Sequence, residues 1–142
     1  VRSRGLGDVY KRQIIGAAAV GDFAALRTAG KISRKKDGLK LRLAPTKDIL
    51  AEMGENKGKR FLVGFSAESG ASLKKTREKI KSKNLDLAVF NDITKKNSGF
   101  AGDKNAIKII DRNGKILFEG KGEKRELAGV IFDAVEKEGK LN

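Results

Sequence analysis

The sequence predicts an α/β fold: a Rossmann-like three-layer domain with a mostly parallel sheet and an added β-hairpin. Short apolar segments alternate with segments of helical period, a pattern typical of βαβ units. Near the carboxyl end, Asn113-Gly114 separates two further apolar segments, which is a strong hairpin signal. The chain has 142 residues and is 39% hydrophobic, enough for one core and too little for two. We therefore expect one domain, over residues 14–142.

The elements of this domain follow from local patterns. Apolar runs predict buried strands at residues 14–20, 60–65 and 85–90, and alternation of apolar and basic residues predicts a half-exposed strand at 39–43. The hairpin strands are predicted at 106–111 and 115–119, after a Gly-, Asn- and Lys-rich loop at 94–105. Helices are predicted from residue 47 to residue 54 or 58, at 69–84 and at 123–138.

Helix starts and inward faces are also indicated. Thr46 or Asp48 can cap the first helix, and Ser69 or Ser72 the second. Apolar spacing predicts the buried faces of the second and third helices, which carry Leu73, Thr76 and Ile80, and Leu127, Val130, Ile131 and Val135. The turns after Val20, Phe65 and Phe90 should share one edge of the sheet, where ligands bind in open α/β folds.

The first thirteen residues, VRSRGLGDVYKRQ, have no helical or strand period and no apolar signal-peptide core. They resemble the translated adapter sequence found at the ends of sequenced fragments. We interpret residues 1–13 as a non-native tail and exclude them from the fold. The natural protein is then expected to continue upstream, so that the domain is truncated at its amino end.

Composition excludes several kinds of chemistry. The chain has no cysteine and no histidine, which removes disulfides, thiolate nucleophiles, most zinc sites and histidine acid–base catalysis. No window approaches the length of apolar sequence that spans a bilayer, so we expect no membrane partner, and a reducing cytoplasm is the default location. Chemistry must be done by Lys, Arg, Asp, Asn and backbone amides.

The net charge of +14 indicates polyanionic partners: nucleic acid, anionic membrane or phosphorylated small molecules. The alternative is a well-solvated basic surface without a specific partner. Aromatic residues make up only 6% of the chain, and they are not interleaved with the cations as in proteins that bind single-stranded nucleic acid. Phosphorylated small molecules are therefore favoured.

Three features could bind such a ligand, and each has a simpler explanation. The small residues 16–19 with Asp22 could receive a ribose or base, or could pack under a helix and turn the chain. The basic segment 31–36 could be a flap over phosphates, or a solvated loop. Lys79 and Lys83 share a helix face and could bracket an anion, or could favour the helix dipole. Neither standard glycine-rich phosphate motif is present.

Taken in order, these segments resemble the phosphopantothenate–cysteine ligase domain, which in bacteria is usually fused behind a flavin-dependent phosphopantothenoylcysteine decarboxylase. The resemblance runs from about residue 14 to the end of the chain. It is carried by residues 16–23 (GAAAVGDF), 31–34 (KISR), 45–50 (PTKDIL), 63–68 (VGFSAE), 83–86 (KNLD), 91–92 (ND) and 124–128 (KRELA).

The resemblance implies a two-step ligase of coenzyme A biosynthesis. CTP activates the carboxylate of 4′-phosphopantothenate as an acyl-cytidylate with release of pyrophosphate, and the amine of cysteine then displaces CMP. Mg²⁺ is implied on the nucleotide phosphates rather than on protein ligands. FMN would belong to the fused decarboxylase only. A homodimer through this domain is also implied, and the hairpin at Asn113-Gly114 is a candidate for that contact.

The family's functional positions can be carried over residue by residue. Lys31 matches the flap lysine implicated in amide formation and is the one catalytic candidate. The nucleotide-binding positions are Gly16, Ala17, Ala18, Asp22, Lys31, Lys47, Asp48, Ile49, Leu50, Phe65, Lys79 and Lys83, with no metal ligand among them. Ser33 and Arg34 replace two flap lysines, and Lys47 replaces a proline. The family's upstream glycine-rich loop and Asn-containing segment have no counterpart, so weak or absent ligase activity is expected from this chain alone.

Two other functions fit parts of the sequence. A basic nucleic-acid-binding module would explain the net charge but not the small-residue strand, Asp22 or the paired lysines. A Rossmann-like oxidoreductase would require the glycine fingerprint that is missing here.

Overall fold

The structure is a computed structural model that describes residues 12–32, 38–68, 73–92 and 104–139. These residues form two compact units, one made of Val1–Ala17 and Leu50–Asn142 and the other of Ala18–Ile49. The elements are β1 (Gln13–Gly16), β2 (Phe23–Ala25), β3 (Leu43–Pro45), α1 (Ile49–Glu55), β4 (Phe61–Glu68), α2 (Lys74–Ser82), β5 (Leu87–Asp92), β6 (Lys104–Asp111), β7 (Ile116–Glu123) and α3 (Lys124–Gly139). No helix in the described ranges is both long and apolar enough to cross a lipid bilayer.

The first unit contains a five-stranded sheet in the order β1-β4-β5-β6-β7. The pairs β1-β4 and β4-β5 are parallel, and β6 and β7 are added antiparallel at one edge. The carboxyl ends of β1, β4 and β5 therefore point the same way, as the alternation of strands and helices predicted. The α/β class, the parallel strands and the edge hairpin are confirmed.

Helices cover both faces of this sheet. Leu127 and Val135 of α3 pack in one apolar cluster with the side chains of Val63, Val89 and Ile109. Ile80 of α2 packs in a second cluster with alternate residues of the same strands, among them Leu62 and Phe90, and Leu50 of α1 packs against it. Because successive side chains of a strand point to opposite faces, the two clusters lie on opposite sides of the sheet. The predicted three layers and the inward faces of both long helices are confirmed.

The first strand is shorter than predicted. It ends at Gly16, whose partner in β4 is Gly64, and Ala17 then donates its N–H to the carbonyl of Ile15 at 3.1 Å. Residues 17–21 are exposed. The prediction of a buried strand over residues 14–20 was wrong in its second half, because small apolar side chains alone do not show where pairing stops.

The second unit is a two-stranded antiparallel sheet of β2 and β3. The backbone N–H of Thr46 donates to the carbonyl of Asp22 at 2.9 Å, and the Thr46 hydroxyl donates to the carbonyl of Gly21. The predicted half-exposed strand at 39–43 was wrong: the strand is Leu43–Pro45, and Leu41 and Leu43 are both exposed. It pairs with residues 23–25, for which no strand was predicted, since non-local pairing leaves no local signal.

Helix bounds differ from the predictions by a few residues. Helix α1 begins at Ile49 rather than at residue 47. The amino-terminal cap position of α2 is Leu73, which makes no side-chain capping bond, while the predicted caps Ser69 and Ser72 lie outside the described residues. Residues 1–11 of the predicted non-native tail, residues 33–37 of the predicted flap and loop residues 93–103 also lie outside them.

The edge hairpin turns where the sequence predicted. Asp111 Oδ1 accepts hydrogen bonds from the N–H groups of Asn113 and Lys115 at 2.9 and 2.8 Å. Gly114 has a φ of 84°, a conformation that glycine adopts without steric cost. Residues 104 and 105, which were predicted to belong to the preceding loop, are the first two residues of β6.

Candidate functional site

A small cleft lies on the face of β4 that also carries α1 and α2. Its volume is about 40 Å³, and it is lined by Leu50, Gly64, Phe65, Ser66, Thr76, Lys79, Lys83, Leu85 and Ala88. A water molecule needs roughly 10–15 Å³ of such space, so the cleft can admit about three waters or one small polar group of a ligand but not a whole nucleotide. Any larger ligand would place one polar group here and extend outside. Four residues of the predicted nucleotide site line this cleft.

Lys79 is held at the cleft by a hydrogen bond to the sheet. Its Nζ donates to Oγ of Ser66 at 3.2 Å, and Ser66 is only 4% exposed. Strand alternation places Ser66 on the α2 side of β4. The ammonium group is thereby fixed against the sheet instead of extending into solvent.

The two predicted lysines lie on the same side of α2. Lys79 and Lys83 are both half-buried and line the cleft, whereas Lys81, in the same last turn, is exposed and does not line it. An interaction with the helix dipole would be satisfied by any lysine in that turn. The arrangement therefore favours the anion-binding interpretation.

The end of α2 is positioned by close packing against α1. A Cβ atom on Gly54 would lie 2.0 Å from the carbonyl oxygen of Lys83, so only glycine permits this approach. Asn84 adopts a left-handed φ of 50° and donates from Nδ2 to the carbonyl of Gly54 at 3.0 Å. These contacts determine where the Lys83 side chain leaves the backbone.

Two glycines let Leu50 reach the sheet. Gly16 and Gly64 are partners in β1 and β4, and a Cβ on either would lie 2.9 to 3.0 Å from a methyl group of Leu50. The side chain of Leu50 packs against the apolar cluster on this face. Leu50 was predicted to contact the nucleotide. In the structure its side chain packs against the sheet and lines the cleft.

Phe65 lies in the part of β4 that extends past the end of β1. Gly16, the last residue of β1, is level with Gly64, so Phe65 has no partner in β1. The Phe65 side chain is 38% exposed, which is unusual for a phenylalanine in a central strand. Because successive side chains of a strand alternate between faces, this ring lies on the α3 side of β4, opposite Ser66, and Phe65 borders the cleft without directing its ring into it.

Six predicted site residues lie in the other unit: Ala18, Asp22, Lys31, Lys47, Asp48 and Ile49. All six are exposed. The backbone of Asp22 is fixed by the bond from Thr46, while Lys47 and Asp48 follow β3 and precede α1. The structure thus gathers Leu50, Phe65, Lys79 and Lys83 around one cleft, adds Gly16 and Ala17 at the end of β1, and carries the other six on the smaller unit.

Sequence reasoning missed two hydroxyl groups in the cleft. Ser66 was included only in the family-like segment 63–68, and Thr76 was predicted only to belong to the buried face of the second helix. Thr76 precedes Lys79 by three positions and Lys83 by seven, a spacing that places all three on one side of a helix. That spacing was the available signal for Thr76, whereas Ser66 required the strand register.

Comparison with known proteins finds a family and several relatives that match most of this chain. A family model described as the DNA/pantothenate metabolism flavoprotein C-terminal domain matches residues 8–138. The coenzyme A biosynthesis bifunctional protein CoaBC of Bacillus subtilis (strain 168) is 40% identical over 102 residues, covering 71% of this chain and 25% of that protein. A cysteine/cysteine sulfinic acid decarboxylase from an unknown prokaryotic organism is 40% identical over 118 residues, covering 81% of this chain and 33% of that protein.

A solved structure has a similar fold. The crystal structure of the C-terminal domain of the coenzyme A biosynthesis bifunctional protein CoaBC matches 70% of this chain and 48% of that chain, with a TM-score of 0.60 and 30% identity. The chain thus spans about a quarter to a third of the length of these relatives, and about half of the solved domain.

Proposed function

Since the chain belongs to the family of DNA/pantothenate metabolism flavoprotein C-terminal domains, we propose that it carries the nucleotide-binding part of a phosphopantothenate–cysteine ligase. In this proposal the enzyme joins 4′-phosphopantothenate to cysteine at the expense of CTP, which becomes CMP and pyrophosphate. The similarity to coenzyme A biosynthesis bifunctional proteins CoaBC supports the assignment.

One observation carries the proposal. Lys79 and Lys83 line a half-buried cleft whose floor is the polar Ser66 hydroxyl, on a sheet where β1 ends in small residues. Cations suit the triphosphate, and the small residues give access to backbone amides. Both features suit a nucleoside triphosphate.

In the proposed reaction the main roles of the protein are to stabilise negative charge and to position the reactants. In the first step a carboxylate oxygen of 4′-phosphopantothenate bonds to the α-phosphorus of CTP as the bond to the β-phosphate breaks. Negative charge moves onto the departing pyrophosphate, and fixed ammonium groups in a site of low dielectric stabilise it. In the second step the cysteine nitrogen bonds to the acyl carbon, CMP leaves, and the amine releases a proton. Lys31 is proposed to act in this second step.

The resemblance to the family also implies Mg²⁺, FMN on a fused domain, and a homodimer. The described residues contain no group of three or more side chains suited to hold a metal. In the proposal a Mg²⁺ ion accompanies the nucleotide, where it would neutralise part of the charge of the phosphates. FMN is assigned only to a fused decarboxylase, and a homodimer is part of the proposal for the full-length protein.

Catalytic turnover of the proposed ligase reaction can be tested in a chimeric protein. Residues 14–138 of this chain would replace the matching segment of the Bacillus subtilis relative, and release of pyrophosphate and formation of the amide would be measured separately. We expect both products to depend on CTP. In the chimera with Lys31→Ala, pyrophosphate should still form in the first turnover, while the amide should not. A folded chimera that binds CTP but releases no pyrophosphate would refute the proposed function.

A basic nucleic-acid-binding module is the alternative function, because the chain carries a net charge of +14. Titration with single-stranded and duplex RNA at two salt concentrations separates the two functions. Association through phosphate contacts weakens steeply as salt rises. Tight, salt-sensitive RNA binding together with equal affinity for all nucleoside triphosphates would favour the alternative.

A further inference from the structure

Thr76 presents a buried hydroxyl group that the fold does not use. The residue is 0% exposed, and its Oγ1 makes no hydrogen bond to any described residue. A buried hydroxyl without a partner destabilises the folded state, so such groups are rare in folded proteins. Valine has nearly the same shape and would avoid this cost. The hydroxyl therefore calls for a ligand-based explanation.

The surroundings of Thr76 indicate which ligand. Thr76 lines the same cleft as Lys79 and Lys83, and all three lie on one side of α2. The cleft has room for about three oxygen-sized atoms and thus for one small polar group. Of the groups that a nucleoside triphosphate offers, an anionic phosphoryl oxygen fits best between two ammonium groups and a hydroxyl that can donate.

We propose that Thr76 is a specificity-determining residue whose hydroxyl donates a hydrogen bond to a phosphoryl oxygen of the nucleotide that Lys79 and Lys83 hold. This inference rests on the proposed function, because it takes the cleft to be a phosphate subsite. It extends that function by adding a neutral donor to a site that otherwise consists of cations. A hydroxyl on the buried side of the oxyanion distinguishes a tightly seated phosphoryl group from one bound only by long-range attraction.

The variant Thr76→Val separates a ligand contact from a structural role, because the two roles predict opposite results. Valine removes the unpartnered hydroxyl and keeps the branched shape, so the midpoint of thermal unfolding should rise or stay unchanged. Loss of the donor should weaken binding of CTP and of inorganic pyrophosphate on the order of tenfold. Thr76→Ser, which keeps the hydroxyl, should restore most of the affinity. Ser82→Ala removes an exposed hydroxyl of α2 outside the cleft and serves as the matched control.

Calorimetric titration of the full chain with CTP, pyrophosphate and cytidine gives distinct outcomes. The inference is supported if Thr76→Val weakens CTP and pyrophosphate by the same factor and leaves cytidine unchanged. If CTP binds the original chain and Thr76→Val equally well, the hydroxyl does not contact the nucleotide and the inference fails alone. A loss confined to cytidine overturns the phosphoryl assignment. If the original chain binds neither CTP nor pyrophosphate, the inference and the proposed function fail together.

Discussion

The Nζ atom of Lys79 donates a hydrogen bond to the Oγ atom of Ser66 at 3.2 Å, which connects the last turn of α2 to the central strand β4. Lysine side chains are long and lose much rotamer freedom when held in one place. A bond to a nearly buried hydroxyl supplies part of that ordering before any ligand arrives. Preorganised charge of this kind is more effective in binding an anion than a mobile ammonium group.

The paired lysines should dominate the affinity for phosphate. We expect Lys79→Ala and Lys83→Ala each to weaken binding of pyrophosphate by about tenfold, because each removes a charged contact. Lys81→Ala is the matched control: it removes the same charge from the same helix turn, but its side chain is exposed and outside the cleft. Calorimetric titration measures all three. Equal losses for all three variants would mean that only overall charge matters.

Packing between α1 and α2 should be sensitive to a single methyl group. Gly54→Ala places a Cβ within 2.0 Å of the Lys83 carbonyl oxygen, so we expect a loss of about 2 kcal/mol or more in unfolding free energy. Gly129→Ala makes the same change in α3, where nothing lies within 4 Å, and should stabilise the protein by about 0.5 to 1 kcal/mol. Urea denaturation of both variants checks the pair. Similar effects in both would contradict the close contact.

The displacement caused by Gly54→Ala should also reach the cleft. Because the contact is with the backbone of Lys83, the helix end must shift, and pyrophosphate affinity should fall even under conditions where the variant is folded. Gly129→Ala should leave that affinity unchanged. Unchanged affinity in folded Gly54→Ala would show that the α1 contact does not position Lys83.

A buried ion pair that involves Asp86, the residue just before β5, should be important for stability. Lys57 Nζ lies 2.6 Å from Asp86 Oδ2, both side chains are less than a tenth exposed, and the same oxygen accepts the Leu62 N–H at 2.8 Å. Asp86→Ala leaves the lysine buried without its partner and should cost about 3–5 kcal/mol. Glu119→Ala breaks the more exposed pair with Lys108 and should cost less than about 1 kcal/mol. Comparable costs in chemical denaturation would contradict this ranking.

Local patterns predicted the fold well where pairing follows the order of the chain. The apolar runs that became β4 and β5, the Asn113-Gly114 turn and the buried face of α3 were all recognised, because period and turn chemistry are local properties. The end of β1 at Gly16 and the pairing of β2 with β3 were not, because both depend on a partner strand far away in the sequence.

The site, like the fold, was predicted only where its residues are related by local spacing. Lys79 and Lys83 followed from helical spacing, and the family resemblance supplied the rest of the set. Ser66 was missed because its contact with Lys79 depends on how α2 lies across β4. Thr76 was assigned to the core, and only the structure revealed that its hydroxyl has no partner among the described residues.

Base selectivity tests the central claim most directly. Calorimetric titration of the chain with CTP, UTP and ATP, at equal ionic strength, compares three ligands with the same triphosphate. We predict that CTP binds more tightly than UTP and ATP, and that the double variant Lys79→Ala, Lys83→Ala loses most of this affinity while remaining folded. Equal binding of all three nucleotides, or full CTP affinity in the double variant, would contradict this claim.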